Sequence, residues 1–301
     1  MPNDKRDGMT RIAVRDVSLF VKVMGHGHPL VFMHGGPGLD YTTLSSLEPL
    51  AEQFTLVFYD HRCNGRSTGL VESMTWENLT ADADALRGTL GYDKWAVVGH
   101  SFGGHVALEY ALRYREHVSH LVLLDTAGDA WWPQHNAPEI LRKRGYRLST
   151  VEAARRFYNG QLRPADVRPI VMKFLGAYFY HVRSLASPAA VRAGFRLKMR
   201  PEAHVFGFGQ LLPGWTVMDR LHEIHVPTLV LSGRHDFLFP PEHQAILADR
   251  IPNAQLEIVE RAGHNPQDER PAEVIEVIRR FLTTTHDTAG SSHWRREVHT
   301  A

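Results

Sequence analysis

The chain has 301 residues and a formal net charge of +1 at neutral pH, with 43% hydrophobic and 22% charged residues. These proportions are ordinary for a globular protein, and the length permits one large domain or two small ones with a substantial core. A net charge so close to zero gives no reason to expect nucleic acid or an anionic membrane as a partner.

Cysteine content and hydropathy predict where the protein works. Cys63 is the single cysteine, which excludes an intrachain disulfide and favours a reducing compartment. Residues 1–8 lack the apolar core of a signal peptide, and no window of about 18 uncharged apolar residues predicts a transmembrane helix. The 19 histidines are scattered without metal-binding spacing, so we expect no metal site. We therefore predict a cytoplasmic protein.

The first part of the chain alternates between strand and helix patterns. Residues 11–23 alternate in polarity, which predicts a β-hairpin with its turn near Arg15 and Asp16. Helical periodicity follows over 76–90. Short apolar runs bounded by loop residues are typical of strands buried on both faces, and they span 30–33, 55–59, 95–98 and 121–124. Alternation of this kind up to Asp125 predicts right-handed crossovers and a mostly parallel sheet.

The alternation stops between residues 128 and 218, where amphipathic helical stretches and many aromatic residues replace the strands. The helical stretches are 151–158 and 166–180. The strand and helix patterns then resume at 228–232, 242–250, 256–259 and 272–282. We therefore predict one α/β domain formed by residues 1–128 and 220–283, a helical cap at 129–219 and a disordered tail at 284–301.

One short segment predicts a nucleophile. Gly99-His-Ser-Phe-Gly103 stands between the predicted strand 95–98 and a helical pattern that begins at Gly104. In this G-x-S-x-G pattern, a sharp turn from strand to helix holds a serine hydroxyl above the sheet. The glycines are needed because side chains there would clash with the turn and the neighbouring strand. Ser101 is therefore the predicted nucleophile.

A serine hydroxyl needs an adjacent base, and the base needs an orienting group. Asp236 follows the predicted strand 228–232, and His264 follows the predicted strand 256–259. This gives the order serine, acid, histidine, with both partners at the carboxyl ends of strands. We predict a catalytic triad of Ser101, Asp236 and His264, with Asp125 as the alternative acid. Taken singly, Asp236 could instead be a helix cap and His264 an ordinary loop residue.

Attack on a carbonyl carbon places negative charge on the oxygen, which needs N–H donors usually worth about 3 to 4 kcal/mol each. The residue after the nucleophile normally supplies one of them, and here it is Phe102. The glycine-rich segment His34-Gly-Gly-Pro-Gly38 follows the predicted strand 30–33 and allows close approach of the backbone. We predict an oxyanion hole formed by the N–H groups of Gly36 and Phe102.

Taken together, these segments resemble the proline iminopeptidase branch of the α/β hydrolases, over about residues 12–283. The resemblance is carried by His34-Gly-Gly-Pro-Gly38, Tyr59-Asp-His-Arg-Cys-Asn-Gly-Arg-Ser67, Gly99-His-Ser-Phe-Gly103 and Gly233-Arg-His-Asp236. It implies an α/β-hydrolase fold, a helical cap inserted over the active site and no cofactor. Cys63 stands where the family usually has glycine.

Two departures from that branch favour a different substrate. The branch anchors the ammonium group of its substrate with cap glutamates and usually with an acidic neighbour of the triad aspartate. Here Phe237 follows Asp236, and Glu202 is the one acid in the corresponding cap segment. Aromatic and aliphatic residues nearby instead favour an apolar pocket; they are Phe206, Phe208, Trp215, Phe237, Leu238 and Phe239. The expected substrate-binding residues are Gly35, His100, Phe206, Trp215 and Phe237.

The sequence is therefore compatible with three functions. The first is a serine hydrolase that cleaves an ester, lactone or related acyl bond of a small, largely apolar substrate through an acyl-enzyme. The second is an aminopeptidase in which Glu202 or Glu152 holds the substrate amine. The third is a small-molecule receptor that turns its ligand over slowly. In each case we expect a small-molecule ligand and a monomer or homodimer.

Overall fold

The computed structural model describes residues 8–180 and 197–284. Its strands are β1 (Gly8–Val14), β2 (Val17–Gly25), β3 (Pro29–Met33), β4 (Thr55–Tyr59), β5 (Trp95–His100), β6 (Val118–Leu124), β7 (Thr228–Gly233) and β8 (Ala254–Val259). They form one sheet in the order β1-β2-β4-β3-β5-β6-β7-β8. Strand β2 is antiparallel to both neighbours, and the other neighbouring strands pair in parallel. The predicted mostly parallel sheet is therefore confirmed.

The central strands are apolar throughout because helices cover both faces of the sheet. In β3, Val31 and Met33 pack in one core, whereas Leu30 and Phe32 pack in the other. This division follows from the alternation of side chains along a strand. A strand buried on both faces therefore appears in the sequence as a continuous apolar run.

The helices are α1 (Trp76–Thr89), α2 (Phe102–Arg113), α3 (Trp131–Lys143), α4 (Leu148–Tyr158), α5 (Pro164–Val171), α6 (Pro201–Phe206), α7 (Pro241–Arg250), α8 (Pro266–Glu269) and α9 (Pro271–Thr284). Helices α1, α2 and α7 contribute side chains to one core. Helix α9 and the 3-10 helix Tyr41–Glu52 contribute to the other. The sheet thus lies between two helical layers, as the alternating sequence pattern predicts.

The described part of the segment between β6 and β7 consists of helices joined by loops. It contains α3 to α6, 3-10 helices at Leu175–Tyr178 and Met218–Glu223, and a π-helical turn at Gly207–Leu211. Among the described residues, its one extended pairing is a bridge between Asp129 and Thr216. We call residues 129–180 and 197–219 the cap segment.

The helices of the cap segment differ in one place from the sequence-based prediction. The predicted helix over 166–180 is shorter, since α5 ends at Val171 and the chain then turns into the 3-10 helix. Glycine at position 176 is a poor helix former, and the turn buries Phe174 in the core. Residues 181–196 of the predicted cap and 285–301 of the predicted tail lie outside the described residues.

Within residues 8–180 and 197–284, none of the helices is both long and apolar enough to cross a membrane.

Candidate active site

Ser101 occupies a strained turn between β5 and α2, with φ 54° and ψ −121°. A backbone conformation of this kind costs on the order of 1–3 kcal/mol and must be held by its surroundings. Here the Ser101 N–H donates to Leu124 O at 3.0 Å, and Thr126 Oγ1 donates to Ser101 O at 2.8 Å. A Cβ atom at Gly103 would lie 1.9 Å from Met33 O, so a side chain there would prevent the turn.

The predicted acid and base are paired. Asp236 follows β7 and His264 follows β8, and His264 Nδ1 lies 2.9 Å from Asp236 Oδ2. Both side chains are buried. Because a carboxylate only accepts, the proton of the neutral ring lies on Nδ1 and Nε2 is left as a base. The other carboxylate oxygen of Asp236 accepts a hydrogen bond from Leu238 N–H at 2.8 Å, which fixes the carboxylate plane.

Asp125, the alternative acid, lies behind this pair. The carboxylate oxygens of Asp125 and Asp236 and a ring nitrogen of His264 lie within 4.8 Å of one another. Asp125 Oδ1 accepts from Gly233 N–H at 2.9 Å. Complete burial, reinforced by the charge of Asp236, raises the pKa of Asp125 well above its usual value. Asp236, rather than Asp125, bonds to His264, and burial favours the protonated form of Asp125.

These three side chains are also the one group within residues 8–180 and 197–284 with donor atoms close enough to share a metal ion. Their hydrogen bonds already explain the arrangement, because His264 Nδ1 and both oxygens of Asp236 have partners. The donor set thus fits an acid–base pair better than a metal centre.

The main chain of His264 is held from two directions. Its N–H donates to Tyr178 O in the cap segment at 2.8 Å. Its carbonyl oxygen accepts from His100 Nε2 at 2.9 Å, and His100 precedes the nucleophile. Burial lowers the pKa of His100 to about 3, so the ring is neutral and its donated proton lies on Nε2.

Ser101 and His264 line the same cavity. Among the described residues, no hydrogen bond joins Ser101 Oγ to the His264 ring. Such contacts are often long in enzymes without substrate and shorten when the substrate binds. The structure therefore brings the two residues to one cavity without forming the proton-transfer contact.

The predicted oxyanion donors also lie at this cavity. Phe102 is the first residue of α2, so its N–H has no partner within the helix. Gly36 and Phe102 both line the cavity. The loop containing Gly36 is held by His34, whose Nδ1 donates to Gly35 O at 2.6 Å and whose Nε2 accepts from His61 N–H at 3.1 Å.

The cavity has a volume of about 530 Å³ and lies between the cap segment and the carboxyl ends of the strands. Its wall is mainly apolar, with contributions from Phe157, Tyr158, Phe208, Leu212, Leu238 and Phe239. Apart from histidines, the basic and acidic residues of its described lining are Arg168 and Asp268. Asp268 Oδ1 accepts from Ser46 Oγ at 2.5 Å, and burial raises the pKa of Asp268 to about 6.

The predicted substrate-binding residues divide into two groups. Gly35 and His100 line the cavity, whereas Phe206, Trp215 and Phe237 are not among its described lining. Trp215 is turned away because its Nε1 donates to Glu109 Oε1 at 2.9 Å.

Phe206 and Phe237 lie outside the cavity lining for different reasons. Phe237 is completely buried, with its ring centroid 5.1 Å from that of Tyr178. Phe206 is only partly buried against the core, and Phe208, two residues further on, reaches the cavity instead. An aromatic residue in the sequence indicates burial, but not which wall it joins.

The predicted amine-binding acids do not reach the cavity. Glu202 pairs with Arg200 at 2.9 Å, and its side chain is 45% exposed. Glu152 pairs with Arg155 at 3.3 Å, and its side chain is 64% exposed. Neither belongs to the described lining. Residues 181–196, which complete the predicted cap, contain no aspartate or glutamate in their sequence.

His105 is one of the cavity-wall residues that sequence reasoning missed. It lies on α2 four residues after Ser101, so both side chains project from the same face of the helix. That spacing was the signal that could have identified it.

Comparison with known proteins agrees with this fold. Residues 28–271 match the family of the alpha/beta hydrolase fold. A proline iminopeptidase of Clostridioides difficile is 30% identical over 267 residues, covering 84% of this chain and 89% of that protein. The proline iminopeptidase PfmaB of Pestalotiopsis fici is 29% identical over 274 residues, covering 84% and 92%.

A thermophilic esterase from Thermogutta terrifontis is similar in three dimensions. Its solved structure has a TM-score of 0.65 and 27% identity, and the match covers 93% of this chain and 99% of that one. The sheet order, the turn at Ser101 and the extent of these matches lead to one conclusion: the chain belongs to the α/β-hydrolase family.

Proposed function

We propose that this hydrolase cleaves an ester, lactone or related acyl bond of a small, largely apolar substrate through an acyl-enzyme. The observation that carries the proposal is the cavity itself. Ser101, His264, Gly36 and Phe102 all line a mainly apolar space of about 530 Å³. An acyl chain fits such walls because burying apolar surface is favourable.

The proposed reaction uses each of these groups in turn. His264 Nε2 removes the proton of Ser101 Oγ, and Oγ attacks the carbonyl carbon to form a tetrahedral intermediate. The N–H groups of Gly36 and Phe102 stabilise the negative oxygen. His264 then gives its proton to the leaving oxygen, and the C–O bond breaks to leave an acyl-enzyme. Asp236 stays ionised and stabilises the charged imidazole.

A water molecule completes the cycle. His264 Nε2 removes a proton from this water, whose oxygen attacks the acyl carbon and forms a second tetrahedral intermediate. The bond to Ser101 Oγ then breaks, and the proton returns to Oγ. The products are a carboxylic acid and free enzyme.

The second candidate is release of an N-terminal residue, which the proline iminopeptidases among the relatives favour. A buried ammonium group needs a carboxylate partner, since an unpaired buried charge is very unfavourable. Glu202 and Glu152 pair with arginines away from the cavity. Asp268 is the carboxylate in the described lining, and it bonds to Ser46. This distribution of charge supports the ester substrate.

Replacement of the nucleophile tests the mechanism. Ser101→Ala should lower kcat/KM for p-nitrophenyl butyrate by roughly 10⁴-fold or more, because the triad acts as a unit. A fluorophosphonate probe should label the native protein at Ser101 and leave the variant unlabelled. Circular dichroism of the variant should match that of the native protein. Comparable turnover by the folded variant would refute the mechanism.

A substrate comparison tests the choice between ester and amine. The native protein is assayed under one set of conditions with p-nitrophenyl butyrate and with proline β-naphthylamide. We expect the ester to have the higher kcat/KM. A clear preference for the amide would establish the aminopeptidase instead, and very slow turnover of both would favour the receptor.

A further inference from the structure

His105 is a polar side chain in an apolar part of the cavity wall. It lies one helical turn after the nucleophile, and its N–H bonds to Ser101 O at 3.3 Å. The residue is 2% exposed and belongs to the lining of the cavity. Aromatic rings surround it: its ring centroid is 4.6 Å from that of Trp215 and 5.8 Å from that of Phe239.

Neither ring nitrogen of His105 has a hydrogen-bond partner among the described residues. Other buried histidines of the cavity wall differ in this respect. His204 Nε2 lies 3.2 Å from Phe157 O, and His100 Nε2 bonds to the His264 carbonyl. A buried polar group without a partner is unfavourable, so an unpaired one at a cavity wall indicates a partner supplied by a ligand.

The charge state of His105 limits which ligand group can bind there. Burial lowers the pKa of His105 to about 3, and the nearby titratable group that adds to this shift is His264. A neutral imidazole offers one donor and one acceptor. A hydroxyl group can accept from the ring N–H or donate to the other ring nitrogen, whereas a carboxylate or an ammonium group would bring an uncompensated charge into this apolar wall.

We propose that His105 determines specificity by binding a hydroxyl group of the substrate. The preferred substrate is then a hydroxylated ester, with the hydroxyl either on the acyl chain or on the alcohol. This inference rests on the proposed ester hydrolysis. It adds a polar subsite to a cavity that otherwise selects for hydrocarbon.

Two pairs of substrates distinguish the two positions of the hydroxyl. One pair is p-nitrophenyl butyrate and p-nitrophenyl 3-hydroxybutyrate, and the other is butyl butyrate and 3-hydroxybutyl butyrate. The native protein should favour the hydroxylated member of one pair by roughly tenfold or more in kcat/KM, as expected for a pocket that hydrogen-bonds a substrate hydroxyl. His105→Phe should bring that ratio close to one while still cleaving the plain ester.

Two further variants control for structural effects. His105→Asn keeps a donor and an acceptor and should retain part of the preference. His204→Phe replaces another buried histidine of the same wall whose nitrogen already has a backbone partner. It should leave the ratio of hydroxylated to plain substrate unchanged, whatever it does to the absolute rate.

The outcomes separate this inference from the proposed function. If both proteins cleave the plain esters, and the ratio of kcat/KM for the hydroxylated ester to that for the plain ester is the same in the native protein and in His105→Phe for both pairs, the subsite is refuted. Ester hydrolysis then stands. If neither protein cleaves any of the four esters above the level of Ser101→Ala, the proposed function itself fails.

A spectroscopic measurement decides the matter even if His105→Phe does not fold. Ser101→Ala protein labelled with ¹⁵N-histidine is titrated with each p-nitrophenyl ester and each butyrate ester. Movement of the His105 ring nitrogen signals with a hydroxylated ester, and not with its plain counterpart, supports the subsite. Signals that stay in place with every ester refute it.

Discussion

Asp125 illustrates how burial changes the role of a residue that the sequence can only nominate. Its Oδ1 accepts from Gly233 N–H, and its carboxyl group lies beside that of Asp236. Complete burial raises its pKa well above the usual value. A neutral carboxyl at this position leaves the negative charge on Asp236, where it faces His264. Asp125 thus positions the acid of the pair without competing for the base.

Asp125→Asn should therefore retain activity, because an amide oxygen can accept from Gly233 N–H and an amide NH₂ can face Asp236. The raised pKa means that the folded protein keeps a proton which the unfolded chain loses above about pH 4. Native stability is thus lost as pH rises, by about 1.4 kcal/mol per pH unit, until Asp125 ionises. Asp125→Asn should not show this loss of stability with rising pH.

Urea unfolding at pH 5 and pH 8 measures the effect. Relative to the native protein, Asp125→Asn should be more stable at pH 8 than at pH 5. Asp125→Ala serves as the contrast, since it leaves a buried N–H unpaired and should cost about 1–3 kcal/mol at both pH values. Equal pH dependence of the native protein and Asp125→Asn would show that Asp125 is ionised in the fold.

Cys63 is a second residue whose role depends on its surroundings in the fold. It stands where the family usually has glycine, and its φ of 63° lies in the left-handed region that glycine adopts freely. Its Sγ lies 2.8 Å from Leu70 O, and burial raises the pKa of the thiol. The side chain therefore packs a tight loop, and a thiol in this state is a poor nucleophile.

At the scale of elements, the glycine-rich turn and the cap segment are fastened together. Gly38 O accepts from Arg200 N–H at 2.7 Å, and Gly38 N–H donates to Asn64 Oδ1 at 2.5 Å. A Cβ atom at Gly207 would lie 2.1 Å from Pro37 Cγ, so these two elements touch. The loop that contains Gly36 is thus held between the loop after β4 and the cap segment at Arg200.

Gly38→Ala should disturb both stability and catalysis. Gly38 has φ +93°, and its Cβ would lie 2.7 Å from Arg200 O. The strain and the displaced contact should cost about 1–3 kcal/mol of unfolding free energy. Because Gly36 lies two residues away, displacement of its N–H should also lower kcat by about 10²-fold or more. Thermal unfolding and kinetics with p-nitrophenyl butyrate measure the two effects.

Gly145→Ala is the matched control for this experiment. Gly145 has φ +79°, but its Cβ would meet nothing within 4 Å. The control should therefore lose stability from backbone strain and keep its kcat. If both variants keep native kcat, the contacts of Gly38 do not position the oxyanion donor.

At the scale of the whole molecule, buried histidines contribute to the loss of stability in acid. Burial lowers the pKa values of His100 and His105 to about 3 and that of His204 to about 4. A histidine with a lowered folded pKa binds fewer protons than the unfolded chain below about pH 6.5. Each one therefore removes stability as pH falls from there, until the folded ring itself is protonated. Asp268, with its pKa raised to about 6, acts in the opposite direction.

Comparison of the native protein with His105→Phe isolates one such contribution. Between pH 6 and pH 4, the unfolding free energy of the native protein should fall more steeply, by about 1.4 kcal/mol per pH unit. Urea unfolding at half-unit intervals measures both slopes. His105 must be charged in the folded state if the two slopes are equal.

How much of this structure the sequence could predict depends on the kind of signal. The central strands are predictable because burial on both faces makes them continuous apolar runs. The 3-10 helix Tyr41–Glu52 is not, since Ser, Thr and Pro49 interrupt its pattern and packing of Leu44 and Leu47 against the sheet stabilises it. The pairing of Asp236 with His264 follows from motif order along parallel strands.

The walls of the cavity are less predictable than its chemistry. Trp215 and Phe237 are as aromatic as Phe239, and only Phe239 faces the cavity. Which ring does so depends on local turns and on distant partners such as Glu109. A neutral buried Asp125 and an unpaired His105 likewise depend on contacts that no single segment encodes.

The bond from His264 N–H to Tyr178 O has a mechanical consequence. His264, the proposed base, is thus hydrogen-bonded through its main chain to a part of the cap segment that lines the cavity. A displacement of that part of the cap segment would therefore also swing the imidazole relative to the serine.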